Sequence, residues 1–262
     1  MSDELFSRTD VVLLRPKSPG NVGSVARAMK NMGFGRLVLA DPMTYDDPGY
    51  FQAEASRMAW NASDLLERLQ RASSLEAALA PCRFVLGTTS RPPAGMRVLD
   101  PSGAAREIAH LLRTDPDARA ALLLGQEDIG LTHDHFVRCQ ALGVIGSALA
   151  YPSLNLAQAA LIFLYEMRAA FLSAPGAGAA PESSPPADPL PSQERLEALY
   201  ARLEPALDDI GFLQGSAREH MMRDVRRLFN RALLTEREAA LLDGIARQIR
   251  WAARRGESSR DD

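Results

Sequence analysis

Short, unbroken apolar runs alternate with helix-like segments from Val11 to Leu172, and this alternation constrains the fold more than any other feature of the chain. Val11–Leu14, Leu37–Ala40, Phe84–Leu86 and Ala121–Leu124 are such runs, with a weaker strand signal over Leu142–Ile145. A strand with one wet face alternates apolar and polar side chains. A continuous apolar run must instead be covered on both faces. Helical patterns follow from about Asn21 and again over Ser153–Leu172. The expected class is α/β, a buried parallel sheet flanked by helices. Ligands of such sheets bind beyond the carboxyl ends of the strands, so the segments just after the runs are where chemistry is sought.

Ser173–Ser192 reads SAPGAGAAPESSPPADPLPS and offers almost nothing to bury. It predicts a linker, extended in its proline part. Beyond it the pattern is purely helical. Leu196, Leu199, Tyr200, Leu203 and Leu207 form one stripe, and Met221, Val225, Leu228 and Phe229 a second. Thr235-Glu236-Arg237-Glu238 has the form of a capping box opening a third helix through Leu241, Leu242, Ile245 and Ile249. The expected domains are residues 1–172, a linker over 173–192, a small all-α unit over 193–256 and a disordered tail over 257–262.

Composition removes several classes. Cys82 and Cys139 are the only cysteines, which gives neither a disulfide framework nor a zinc set and predicts small buried residues. The polar start is unlike a secretory signal, and no apolar run approaches the roughly 18 residues of a membrane span. A cytoplasmic location is expected. Net charge is −3, yet Val11–Ala40 holds Arg15, Lys17, Arg27, Lys30 and Arg36 and no acid. Arg218–Arg231 holds five arginines against Glu219 and Asp224. Two basic islands in an acidic chain suit either solvated faces or a polyanionic partner.

Three segments could carry chemistry. In Pro19–Lys30, Val22, Val25, Ala26 and Met29 share the helix face that packs on the sheet, while Gly20, Gly23, Arg27 and Lys30 fall on the other. Gly23 lets another chain or a ligand approach closely, and Asn21 either caps the helix or binds ligand. The segment is neither a Walker loop nor a dinucleotide fingerprint. Leu124–Leu131 (LGQEDIGL) follows the strongest strand, with glycines suited to a ligand against backbone. Glu127 beside Asp128 lacks a third partner at metal-ligand spacing, and His133 and His135 read as solvent-facing. Tyr151–Ala160 opens an apolar helix with Ser153 as the expected N-cap and Asn155 at its mouth. No histidine lies near enough in sequence to make Ser153 a hydrolase nucleophile.

Taken in order, Asn21-x-Gly-x-x-x-Arg27, Gly125-x-Glu127-x-x-Gly130-Leu131 and Ser153-Leu154-Asn155 with Tyr165-Glu166 resemble the three motifs of the SpoU/TrmH group of SPOUT methyltransferases. Gly33-Phe34, Asp41-Pro42, Gly87-Thr88-Thr89-Ser90-Arg91 and Arg226-Arg227-Leu228-Phe229-Asn230-Arg231-Ala232 are similar to its TrmJ branch. Ile145-Gly146 departs from the Ile-Pro of many relatives. The resemblance implies a C-terminal trefoil knot in the sheet domain, S-adenosyl-L-methionine as cofactor, no metal, a homodimer, and methylation of the ribose 2'-hydroxyl at position 32 of tRNA. It implies that Thr88, Thr89, Ser90, Gly125, Ile145, Ser153 and Leu154 hold the cofactor. Arg27, Asn21, Glu127, Ser153 and Asn155 would serve catalysis, and Arg27, Lys30, Arg223, Arg226, Arg227 and Arg231 would meet RNA. The group's usual proposal makes Arg27 the base. A guanidinium does not readily lose its proton, so we read Arg27 as a charged clamp on a phosphate, with the phosphate or a water taking the proton. Competing readings are a 2'-O-methyltransferase of another RNA, such as ribosomal RNA, and an RNA-binding protein without catalysis.

Overall fold

The computed structural model describes residues 2–42, 48–148, 153–173, 188–213 and 215–258. Seven strands among them form one sheet: β1 Thr9–Leu14, β2 Arg36–Ala40, β3 Gln70–Ala72, β4 Phe84–Thr88, β5 Val98–Leu99, β6 Ala120–Leu124 and β7 Ala141–Gly143. Their order is β3-β2-β1-β6-β4-β7-β5, and every pairing is parallel. β1 and β6 lie side by side at the centre, and every residue of both is buried.

Each apolar run feeds two cores. Val11 and Leu13 point into a cluster with Val22, Met29, Ile108, Phe163 and Met167. Val12 and Leu14 point the opposite way, toward Leu79, Phe136 and Cys139. Full burial of one such aliphatic side chain is worth ~1.5–3 kcal/mol, so both helical layers are drawn onto the sheet. The first layer holds α1 Ser2–Ser7, α2 Pro19–Met32, α3 Pro48–Ala59, α4 Ser63–Glu67, α6 Pro101–Thr114 and α8 Leu156–Leu172. The second includes α5 Leu75–Leu79 and α7 His133–Phe136. Cys82 and Cys139 are both fully buried, as their scarcity suggested, and burial pushes the Cys139 thiol up to about 12.

Two strands carried no sequence signal. β3 and β5 are three and two residues long and sit at the sheet edges, where polar residues such as Gln70 and Arg71 are tolerated. α8 begins at Leu156 rather than Ser153, because Asn155 and not Ser153 is its N-cap, its side chain accepting from Ala157 N at 2.9 Å. α2 begins at Pro19, capped by Ser18.

The helical domain consists of α9 Gln193–Asp209, α10 Arg218–Ala232 and α11 Glu236–Ser258. The expected capping box is present: Glu238 N donates to Thr235 Oγ1 at 3.2 Å, and Thr235 N donates back to Glu238 Oε2 at 2.8 Å. α11 runs two residues past the expected boundary at 256. Leu190 and Pro191, inside the expected linker, are buried. Most of that linker, and residues 259–262 of the expected tail, lie outside the described residues. β7 enters the sheet between β4 and β5. The expected knot turns on the path through residues 149–152, which also lie outside them. No helix among the described residues is long and apolar enough to cross a membrane.

Gly23 does not face a second chain or a ligand. A Cβ there would sit 2.0 Å from Ala55 O and 2.9 Å from Ala59 N, so α3 rests backbone to backbone on α2. Gly23→Ala must push the two helices apart. We expect ~1–3 kcal/mol of lost stability, read as a lower midpoint in denaturant unfolding.

Candidate active site

The loops after β1 and β6 and the start of α8 meet at the carboxyl edge of the sheet. Glu127 is the fastener. Its Oε2 accepts Lys17 N at 2.8 Å, and its Oε1 accepts Ser18 N at 3.0 Å and Asn21 Nδ2 at 3.1 Å. Asn21 Oδ1 in turn accepts from Asn155 Nδ2 at 3.0 Å. A carboxylate, an amide and a second amide thus join three segments that are remote in sequence. Asn21 bridges here instead of capping α2.

Beside this chain of hydrogen bonds lies a cavity of about 640 Å³. Every residue expected to hold a cofactor lines it: Thr88, Thr89, Ser90, Gly125, Ile145, Ser153 and Leu154. Glu127 stands on its wall, while Leu124, Leu156, Phe163 and Phe136 supply apolar surface. The last three were missed in the sequence, because buried aromatic and aliphatic residues on helices read there only as core. The loop over the cavity is pinched: Gln126 bridges Gly130, whose φ is +70°, and a Cβ on Gly125 would fall 2.3 Å from the Gly130 carbonyl carbon. Both glycines are required by that turn. Thr89 N donates to Gly143 O at 3.1 Å, tying the loop after β4 to the end of β7.

His133 lines the cavity while remaining exposed. His135 accepts from Thr132 N at 3.0 Å through Nδ1 and closes the cap of α7, so it is only partly open to solvent. Burial, then the nearby Arg138, hold its pKa below the usual histidine value.

The first basic island resolves sharply. Arg15 pairs with Asp41, Lys17 with Asp128, Lys30 with Asp64 and Arg36 with Asp10. Lys30 also donates to Asn61 O at 2.7 Å, so this expected RNA contact is occupied within the chain. Arg27 alone of the five has no ion pair or hydrogen bond among the described residues. It is exposed on α2 and is not among the lining residues of the cavity. In the second island Arg226 grips Glu197 through both Nη atoms and stacks 4.2 Å over Tyr200. Arg223 donates to Asp134 at 3.2 Å and Arg227 to Ala94 O at 3.1 Å, while Arg231 is exposed. The structure thus brings Asn21, Glu127, Ser153 and Asn155 together with the cavity, and leaves Arg27 and the arginines of α10 apart from it.

Residues 8–165 match the SpoU rRNA Methylase family. The chain belongs to that family. Residues 194–259 match the family described as tRNA methyltransferase TrmJ, C-terminal domain. This SpoU-family chain is 36% identical over 264 residues to the tRNA (cytidine/uridine/adenosine-2'-O-)-methyltransferase TrmJ of Pseudomonas aeruginosa (strain UCBPP-PA14), covering 98% of this chain and 100% of that one. It is 35% identical to the tRNA (cytidine/uridine-2'-O-)-methyltransferase TrmJ of Salmonella typhimurium, over 91% of this chain and 95% of that one. The crystal structure of TrmJ from Z. mobilis ZM4 superposes with a TM-score of 0.76 at 26% identity, over 92% of this chain and 99% of that one.

Both oxygens of Glu127 face N–H donors, so Glu127→Gln must turn an NH₂ group against one of them. Half-buried as the site is, we expect about 1–2 kcal/mol of lost stability, measured by chemical denaturation, and a loosened first turn of α2 around Asn21, visible as faster backbone amide exchange.

Proposed function

We propose that this RNA methyltransferase is a cytoplasmic, S-adenosylmethionine-dependent enzyme that methylates a ribose 2'-hydroxyl of tRNA, at position 32 of the anticodon loop. The observation that carries the reading is the Glu127–Asn21–Asn155 chain, which ties the first motif to the other two, and those two line one cavity. At about 640 Å³ the cavity falls within the roughly 300–1,000 Å³ of small-molecule sites. Its apolar floor at Leu124, Ile145, Leu154 and Phe163 suits an adenine ring, and Thr88, Thr89 and Ser90 suit a ribose and an amino acid end. Those residues, with Gly125 and Ser153, would hold the cofactor. S-adenosylmethionine supplies a methyl group already activated on a sulfonium. What remains for the protein is alignment and removal of one proton.

Arg27 is the residue free to meet substrate. Its partners are absent where those of its neighbours are filled, and a guanidinium suits bidentate contact with a phosphate. Because Arg27 stands outside the cavity of its own chain, we place it beside the cavity of a second copy. Leu161, Tyr165 and Leu172 form an exposed apolar stripe on α8, which packs against α2 and supports such a dimer. Solution mass by sedimentation tests it.

The helical domain would hold tRNA by a face other than the one expected. Arg218 pairs with Glu204 and Asp208, and Arg223, Arg226 and Arg227 are engaged within the chain as described above. Gly244–Arg255 carries Arg247, Arg250, Arg254 and Arg255 and no acid, a third basic segment overlooked in the sequence, of which Arg250 is spent on Asp209 at 3.1 Å. Arg247 and Trp251, one turn apart on α11, are exposed. Guanidinium groups bind phosphates and an indole stacks on bases, as single-stranded RNA requires.

Purified protein incubated with labelled S-adenosylmethionine and either tRNA transcripts or ribosomal RNA should place the label on the ribose at position 32 of tRNA; label at any other site, or on ribosomal RNA instead, overturns the assignment. Arg27→Lys keeps the charge and loses the fork, and we expect turnover to fall about 10²-fold with cofactor affinity unchanged; near-normal turnover would reject the clamp. Arg247→Glu should weaken tRNA binding and flatten its dependence on salt, and Trp251→Ala should weaken it without changing that slope, both read by filter binding over a salt series.

A further inference from the structure

The segment from Leu131 to Gln140 has two sides. One side belongs to the cavity, which Leu131, His133 and Phe136 line. The other carries the helical domain. Asp134 accepts from Arg223 at 3.2 Å, Val137 O accepts from Asn230 Nδ2, and Gln140 Nε2 donates to Asn230 Oδ1 at 3.2 Å. The cavity residues and the docking residues interleave along these ten residues of chain.

Gln140 is the centre of this contact. Its Oε1 accepts Val85 N of β4 at 2.8 Å and Gln193 Nε2 of α9 at 3.2 Å. Gln140, Gln193 and Asn230 are buried to within 5% exposure, so each amide must find its partners inside the protein. Gln193 N and Glu194 N reinforce the seam by donating to Cys82 O and Ala80 O at 2.9 and 3.2 Å. Immediately after Gln140 the chain enters β7, whose Gly143 lines the cavity and accepts the Thr89 amide. Among the described residues, none that lines the cavity comes from α9, α10 or α11. A half-satisfied buried polar network costs more than an apolar seam, which makes this contact sensitive to the register of the segment.

We infer that Gln140 and Asn230 are positioning residues for the cavity: the helical domain, docked through them, fixes the wall that closes on the cofactor. The inference rests on the proposal that the cavity takes S-adenosylmethionine. It makes the helical domain part of the cofactor site without contact, and coupling of this kind is reciprocal. Filling the cavity must therefore tighten the seam at Asn230.

The full chain and its Asn230→Leu variant are titrated with S-adenosylhomocysteine by calorimetry, and hydrogen exchange of the unaltered protein is followed with and without that compound. The variant, close in volume but without the amide, is expected to bind about fivefold more weakly or worse, and the compound is expected to slow exchange over Val225–Asn230. A folded variant that binds like the parent, or exchange in α10 that ignores the compound, overturns the inference. Should Asn230→Leu fail to fold, the exchange measurement on the unaltered protein decides alone. Failure of the unaltered protein to bind S-adenosylhomocysteine at all overturns the cofactor reading and this inference with it; binding without either response overturns the inference only.

Discussion

The site depends on one carboxylate meeting three donors. β1 and β6 are neighbours at the centre of a parallel sheet, so the loops that leave them run side by side. Those loops are polar, and their amides would otherwise spend their bonding on water. Glu127 collects two backbone amides and one side-chain amide from the β1 side, each bond strengthened by its charge. Asn21, held by Glu127, presents its oxygen to Asn155, which is also the N-cap of α8. A single ion thereby sets the loop after β1, the loop after β6 and the entry of a half-buried helix.

Much of the fold was legible because a doubly buried strand leaves a continuous apolar run. The central strands announced themselves in this way, and the edge strands β3 and β5 did not, since an edge tolerates polar residues and needs few of them. The start of α8 was misplaced for a different reason. Ser153 and Asn155 are both good caps, and the choice between them is made by a contact with Asn21, 134 residues away. Residues at strand ends were found together at the cavity because the topology of the sheet places all such ends on one edge.

Charge was less legible than geometry. The first basic island looked like one surface, yet four of its five members are paired with acids at Asp41, Asp128, Asp64 and Asp10. Asp64 lies 34 residues beyond Lys30, and Asp128 lies 111 beyond Lys17, so only folding reveals these partners. The same holds for α10, where Arg226 spends its guanidinium on Glu197 and the Tyr200 ring. A run of arginines in sequence is thus a count of cations, and the free ones emerge after the acids have taken theirs.

At Gly23 backbone meets backbone, so that point of contact between α2 and α3 holds no side chain that could rearrange to absorb a displacement. The two helices form a single slab, with Arg27 carried on it one turn beyond the point of touch. Tyr50 and Met58 stand open to solvent on α3, and Trp60 just after it. A macromolecule leaning on Tyr50 or Trp60 would press on α3, and through the backbone contact at Gly23 on the helix that carries Arg27. The reach of Arg27 is thus governed by what α3 rests against as well as by its own rotamers.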